Sequence, residues 1–251
     1  MLLIDGSDLS RIIYHALSDE FKVEMVVREA KAPLFAFLAR RLKKLGWWTL
    51  FGQVIFVGCV VPLLSREASR RRSDILREYE LNDSSIPAGS VIDVSSINDV
   101  RTADLLLSLS TGVTVVNGTR ILKEQLLDTI GGVFLNTHVG ITPLYRGVHG
   151  GYWALASGDA EHFGTTIHKI DKGIDTGEIV AQATIRPSEE DNFSTYPLLQ
   201  IAIAIPLLKQ AIRDALKGNL ETAPTLARKS KLWSHPTVFQ YLKSRFVLGI
   251  R

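Results

Sequence analysis

Apolar and polar positions along this chain follow two rhythms. Leu2, Leu3 and Ile4 form a short apolar run that reads as a buried strand, and residues 9–17 carry apolar positions at helical spacing. Between them Asp5-Gly6-Ser7-Asp8 reads as a turn with a helix cap, and residues 23–27 supply a second strand. That order of elements implies a parallel sheet with helices packed on it and a ligand crevice at the carboxyl ends of the strands.

The same rhythm returns further on. Residues 90–94 alternate like a strand, 100–103 turn, 104–110 with Leu105, Leu106, Leu107 and Leu109 read as a buried strand, and 111–117 as a loop or short strand. Asn117-Gly118-Thr119 turns the chain into Arg120-Ile121-Leu122, ahead of a short helix over 123–128. Further strands are predicted at 133–135, at 165–170 up to Asp171, and at 179–185, with a helix over 147–158 starting near His149 and turning Trp153 and Leu155 inward. Residues 191–194 open a long helix to about 217, with Pro206 as a kink and Gly218-Asn219 as its end. The pattern predicts an α/β fold, a mostly parallel sheet flanked by helices, with a catalytic domain over 1–190, a helical insertion at about 33–82, and a C-terminal helix and basic tail over 191–251.

The insertion departs from this rhythm. Residues 35–45 read as a helix bearing Arg40, Arg41, Lys43 and Lys44, and Trp47-Trp48 open an almost wholly apolar run to Leu64, interrupted by Gln53. A spanning helix needs about twenty such residues, and Gly52, Gly58 and Pro62 weaken one. Three readings compete: a helical hairpin packed on the domain or on a second subunit, a basic aromatic helix lying on a membrane surface, or a true span.

Composition narrows the field only a little. With 251 residues, 46% hydrophobic and 22% charged, the chain can bury one large core, or a core with a small appendage. Its formal charge of +3 suits a phosphate-bearing substrate without demanding one. The one cysteine, Cys59, sits in an apolar run and is expected to be a buried small hydrophobe, so neither an intrachain disulfide nor a cysteine metal site is expected. A cytoplasmic location follows from this and from the absence of a visible signal peptide, Asp5 and Asp8 interrupting the first residues. A G-x-G-x-x-G fingerprint is missing, which argues against a nicotinamide cofactor, and His162 and His168 lack ligand-like spacing, so no metal is expected.

The chemistry concentrates in residues 131–147. Asn136 and His138 stand two apart on a strand, so both project from one face, and Gly140-Ile141-Thr142-Pro143 bends the chain beside them. Some thirty residues on, Gly173-Ile174-Asp175-Thr176-Gly177 holds a carboxylate in a glycine-flanked loop. Amide, imidazole and carboxylate are the ingredients of acyl transfer: a donor for an oxyanion, a proton shuttle and a group that orients the imidazole. Taken singly, each is better explained by a turn cap or a satisfied strand end.

In combination these residues resemble the folate-dependent formyltransferases. That family carries an N-x-H pair, an S-L-L-P turn, a Y-R-G or Y-P-G and a D-T-G loop; here stand Asn136-Thr137-His138, Gly140-Ile141-Thr142-Pro143, Tyr145-Arg146-Gly147 and Asp175-Thr176-Gly177. Trp153-Ala154-Leu155, Gly158-Asp159 and Gly164-Thr165-Thr166-Ile167-His168 are similar too, and the likeness runs from about 115 to 183, with Gly140-Ile141-Thr142 as its departure. The resemblance implies a Rossmann-like catalytic domain that uses N10-formyltetrahydrofolate as formyl donor and no metal. It assigns catalysis to Asn136, His138 and Asp175, the folate to Arg120, Ile121, Leu122 and Asp171, and the second substrate to Tyr145, Arg146 and His149, with a helix-start role as the other reading of His149.

Asp175 is expected to tune the His138 pKa upward, and which of the two takes the amine proton stays open. The implied acceptor is the primary amine of a nucleotide-linked amino sugar for surface polysaccharide. The alternatives are glycinamide ribonucleotide, water in a hydrolase, or no reaction at all in a folate-binding scaffold. The basic tail is too short for the RNA-gripping domain of methionyl-tRNA formyltransferases, so no nucleic acid is expected. Homodimerisation and contact of 33–72 with a membrane surface, making the protein peripheral there, complete the expectations.

Overall fold

The computed structural model describes residues 1–109, 112–224 and 230–251. The first half runs β1 (Leu2–Ile4), α1 (Asp8–Ser18), β2 (Val26–Glu29), α2 (Leu34–Leu45), α3 (Trp47–Ile55), α4 (Val61–Glu67), α5 (Ser69–Glu78), β3 (Val91–Val94), α6 (Val100–Leu109) and β4 (Val113–Asn117). There follow α7 (Glu124–Ile130), β5 (Val133–His138), β6 (Tyr145–Gly147), α8 (Gly150–Ala156), β7 (Gly164–Lys169), β8 (Ile179–Thr184), α9 (Tyr196–Leu216), β9 (Lys231–Trp233) and α10 (Val238–Leu248).

Seven strands form one sheet in the order β3-β2-β1-β4-β5-β7-β8. The first five are parallel, and β7 and β8 join antiparallel at one edge. This is the mostly parallel, helix-flanked α/β sheet expected from the pattern. Every residue of β4 is buried, as a strand covered on both faces must be. One core lies where α1 and α9 cover the sheet, bringing Ile12, Leu17, Leu199 and Leu208 against Leu2, Val115 and Leu135. The other face packs Leu3, Val27, Val116 and Phe134 with Leu106 of α6 and Leu126 of α7.

Two expectations are corrected. Residues 100–109 are a helix, where the sequence suggested a turn and a buried strand; Ser110 and Thr111 lie outside the described residues. Of the leucines only Leu106 is fully buried, together with Thr102 one turn earlier, while Leu107 is exposed, which is helical and not strand periodicity. Asp99 starts it by accepting the Arg101 N–H at 2.9 Å. The second correction concerns Cys59, which is exposed: its apolar neighbourhood lies on a helix with only one face inward.

That helix is continuous over Trp47–Glu67 and is long and apolar enough to cross a membrane by length and composition. Ahead of Pro62, which has no N–H to give, it widens into a π-helical stretch at Phe56–Val60. Its inward face joins a third core, in which Phe56 and Leu64 meet Tyr152, Phe193 and Tyr241. The insertion is therefore a hairpin of α2 and α3 docked by its second arm. Polar ties reinforce it: Gln53 donates to Ser234 Oγ and the His235 carbonyl, and Arg71 is paired with the buried Asp191 at 2.8 Å. The tail, left without elements by sequence, adds β9 beside β6 and caps α10 with a Thr237–Gln240 capping box.

Candidate active site

Asn136 and His138 end β5, at the carboxyl end of the parallel sheet, where such folds bind ligands. Across the antiparallel junction Asn136 is in register with His168 of β7. His168 Nδ1 lies 2.7 Å from the Lys169 carbonyl, so that nitrogen carries the hydrogen, and Nε2 accepts from Asn136 Nδ2 at 3.0 Å. The amide is thereby fixed in orientation. Its second N–H has only a long contact, 3.5 Å to Asp175 Oδ1.

Asp175 arrives on the loop between β7 and β8, whose shape comes from Asp171. The Asp171 carboxylate accepts the Gly173 N–H at 3.0 Å and the Thr176 hydroxyl at 2.7 Å. Gly177 is required because a Cβ there would run into the Lys169 carbonyl. Asp175 itself takes a left-handed backbone, φ 51°, a conformation costing roughly 1 kcal/mol that the surrounding bonds sustain. Its Oδ2 accepts the Gly147 N–H at 2.8 Å and stands 3.5 Å from His138 Nδ1, while Oδ1 faces His168 Nε2 at 3.6 Å.

His138 is buried behind this carboxylate. Its Nε2 donates to the Tyr145 carbonyl at 2.6 Å, under a turn that only glycine allows: a Cβ on Gly140 would fall 2.7 Å from Nε2. With Nε2 so engaged, Nδ1 turns a lone pair toward Asp175. Burial lowers the His138 pKa, and the neighbouring Asp175 charge offsets only part of that. The upward pull of Asp175 expected from sequence is present, and desolvation outweighs it. Burial would also raise Asp175, but in the acid range the charged form of His138, with His168 and the Gly147 N–H, holds it down to about 2. At neutral pH the pair is a carboxylate beside a neutral imidazole.

The remaining sequence-assigned residues fall into two groups. Arg120, Ile121, Leu122 and Asp171 line one cleft of about 160 Å³, together with Ile170 and Ile174, and Asn136, His168 and Asp175 stand in its wall. The Arg120 side chain turns away to the Ser95 and Ala30 carbonyls, and Leu122 packs into the core. What the loop offers is backbone. Glu29 holds the Arg120 N–H and Asn98 the Ile121 carbonyl, leaving the Ile121 N–H and both main-chain groups of Leu122 without protein partners among the described residues.

The second group lies outside the cleft wall. Tyr145 sends its hydroxyl to Asp159 at 2.8 Å and contributes its carbonyl to His138. Arg146 keeps a buried Nε with no hydrogen-bond partner. His149 starts α8 with φ 57°, and its Nε2 lies 3.1 Å from His235 Nδ1, beside Phe193.

Two contributors were missed by sequence reasoning. His168 becomes visible only through strand register, and Glu29, 5% exposed, fixes the Arg120 loop from the end of β2 and also accepts the Ile97 N–H at 2.7 Å. Among the described residues no cluster of three or more His, Cys, Asp or Glu could hold a metal ion. A larger hollow of about 280 Å³ opens at the amino ends of β1 and β4, away from all of these groups.

An amide, two imidazoles and a carboxylate at the carboxyl ends of parallel strands define an α/β enzyme site suited to acyl-group chemistry. A family model described as formyl transferase matches residues 68–197, half of the chain, and the chain belongs to that family. The methionyl-tRNA formyltransferase of Finegoldia magna is 30% identical over 130 residues, 51% of this chain and 42% of that protein. This chain thus spans less than half of that relative. In fold it is similar to the N-formyltransferase from Helicobacter canadensis in complex with folinic acid and dTDP-3-aminofucose, at 15% identity, 93% and 70% coverage and TM-score 0.56. It is likewise similar to glycinamide ribonucleotide transformylase 1 from Symbiobacterium toebii, at 18% identity, 90% and 92% coverage and TM-score 0.55.

Proposed function

We propose that this protein transfers a formyl group from N10-formyltetrahydrofolate to the primary amine of a nucleotide-linked amino sugar. The observation that carries the reading is the meeting of Asn136, His168 and Asp175 in the wall of a cleft whose floor is the free backbone edge of residues 121–122. Unpaired N–H and C=O groups between isoleucines suit a flat heterocycle with donors and acceptors on its rim.

In this reading the neutral amine attacks the formyl carbon. The C–N bond to the acceptor forms, the bond to N10 of the folate breaks, and the amine proton passes to N10. Asn136 turns its loosely held N–H to the oxyanion, an effect of about 3 kcal/mol for a well-placed donor. Asp175, which fronts the cleft, relays that proton from the amine to N10, backed by His138, whose Nδ1 lone pair faces the carboxylate. Arg146, half-exposed beside Tyr145, takes the carrier's phosphates.

The turn after β1 argues against glycinamide ribonucleotide as acceptor. Glycinamide ribonucleotide formyltransferases usually start with a glycine-rich phosphate loop, whereas here Asp5 occupies that turn, accepting the Ser7 N–H at 2.9 Å and the Ser10 hydroxyl at 2.7 Å, so a phosphate there would meet a carboxylate. Incubation with N10-formyltetrahydrofolate and a panel of dTDP- and UDP-linked amino sugars, followed by mass spectrometry, tests the proposal. A formylated nucleotide sugar is expected. Formylation of glycinamide ribonucleotide alone, or release of formate with no acceptor modified, would refute it.

A further inference from the structure

The insertion exposes an apolar surface that the fold leaves uncovered. α2 buries none of its residues, and Phe35 is 88% exposed. Leu34, Leu38, Leu42 and Leu45 recur along one face of α2, Leu34 and Leu42 exposed and Leu38 and Leu45 half-buried, and Arg40, Lys43 and Lys44 fall on the other. The following helix sends Phe56 and Leu64 into the core and leaves Trp48 80% exposed, with Trp47 stacked on Phe51 at 6.2 Å. No Asp or Glu occurs from residue 30 to residue 66.

We propose that this face docks on an anionic lipid bilayer, with α2 lying in the interface and Trp47 and Trp48 at headgroup depth. An acid-free helix that sets an apolar sector against an arc of lysines and arginines, with tryptophans following it, is the composition such a surface recognises. Charge decides against a second copy of this chain. A two-fold contact sets the same patch against itself, and here it would draw two segments that carry cations and no acid within roughly a Debye length of each other. Packing decides against a span. Gln53 is held by Ser234 and the His235 carbonyl, and Phe56 is fully buried, so the helix cannot enter a bilayer without stripping the third core.

Flotation with vesicles of phosphatidylcholine, with and without phosphatidylglycerol, tests this on the full chain. The protein is expected to float with the anionic vesicles, less so as salt rises, and its tryptophan emission to shift to the blue. Lys43→Ala with Lys44→Ala is expected to lower partitioning by about fivefold per cation removed. Phe35→Ser with Trp48→Ser is expected to lower it further and to remove part of the blue shift. Because these side chains are exposed, both variants should keep the wild-type thermal midpoint. Failure to float with anionic vesicles, or flotation unchanged in both variants, would overturn the proposal. So would a concentration-dependent dimer abolished by Phe35→Ser with Trp48→Ser, which would give the face to a second copy.

Discussion

The end of β5 and the insertion are opposites in how they handle their chemistry. Around β5 polar groups sit inside the protein and are matched: His138 by a carbonyl and a carboxylate, Asn136 by His168, Asp175 by a backbone N–H. In the insertion it is apolar groups that sit outside, unmatched, on α2 and the outer face of α3. A buried polar network is costly to break because each loss leaves a partner stranded, whereas an exposed apolar side chain contributes little to the fold. Substitutions in the first region should therefore act on chemistry or stability, and those in the second on association alone.

The largest expected effect is on turnover. His138→Ala or Asp175→Asn should cost about a thousandfold in kcat with the far-UV spectrum unchanged, the scale of losing a general base or an oxyanion partner. A variant with near-normal rate would dissolve the contrast. Next comes Arg71→Ala, which leaves the Asp191 carboxylate buried without its cation and should destabilise by about 3 kcal/mol in urea unfolding. This would show how firmly the insertion's inner side is tied. His168→Ala frees the Asn136 amide and should lower kcat by about tenfold, roughly 1.4 kcal/mol, with folate affinity kept.

Stability should also slope with pH. Burial and His235 push the His149 pKa down to about 3, and burial with Arg41 nearby pushes His235 to about 4, from an ordinary 6.5. Both folded values lie below the unfolded one, so the unfolded chain binds more protons below pH 6.5. Their contribution is complete above 6.5 and is lost as the pH falls toward 4 and then 3. The thermal midpoint should fall over that window, and His235→Asn should make the fall shallower.

Sequence reading succeeded where one local pattern decides the outcome. β1 and β5 are apolar runs buried on both faces, and Asn136 and His138 follow from a two-residue period. It failed where distant parts decide. Four leucines between 105 and 109 imitate a buried strand, although Asp99 in front of them is a helix start. Cys59 lies in an apolar run, but which face of that helix turns inward is set by Phe193 and Tyr241, far along the chain. His168 joins the site through strand register, and the direction of the His138 pKa depends on how deeply the ring is covered. Charge can be counted in a sequence, but desolvation cannot.

The central claim is that the cleft beside Asn136 and Asp175 receives a formyl-folate on the backbone of residues 121–122. Calorimetric titration with 5-formyltetrahydrofolate, on wild type and on Ile121→Asp, tests it most directly, since Ile121 is 56% exposed and its replacement leaves the core intact. One saturable site is predicted for the wild type, weakened at least about tenfold, or roughly 1.4 kcal/mol, in the variant. Absence of binding to the wild type, with or without a nucleotide sugar present, or equal binding by the two proteins, would contradict the account.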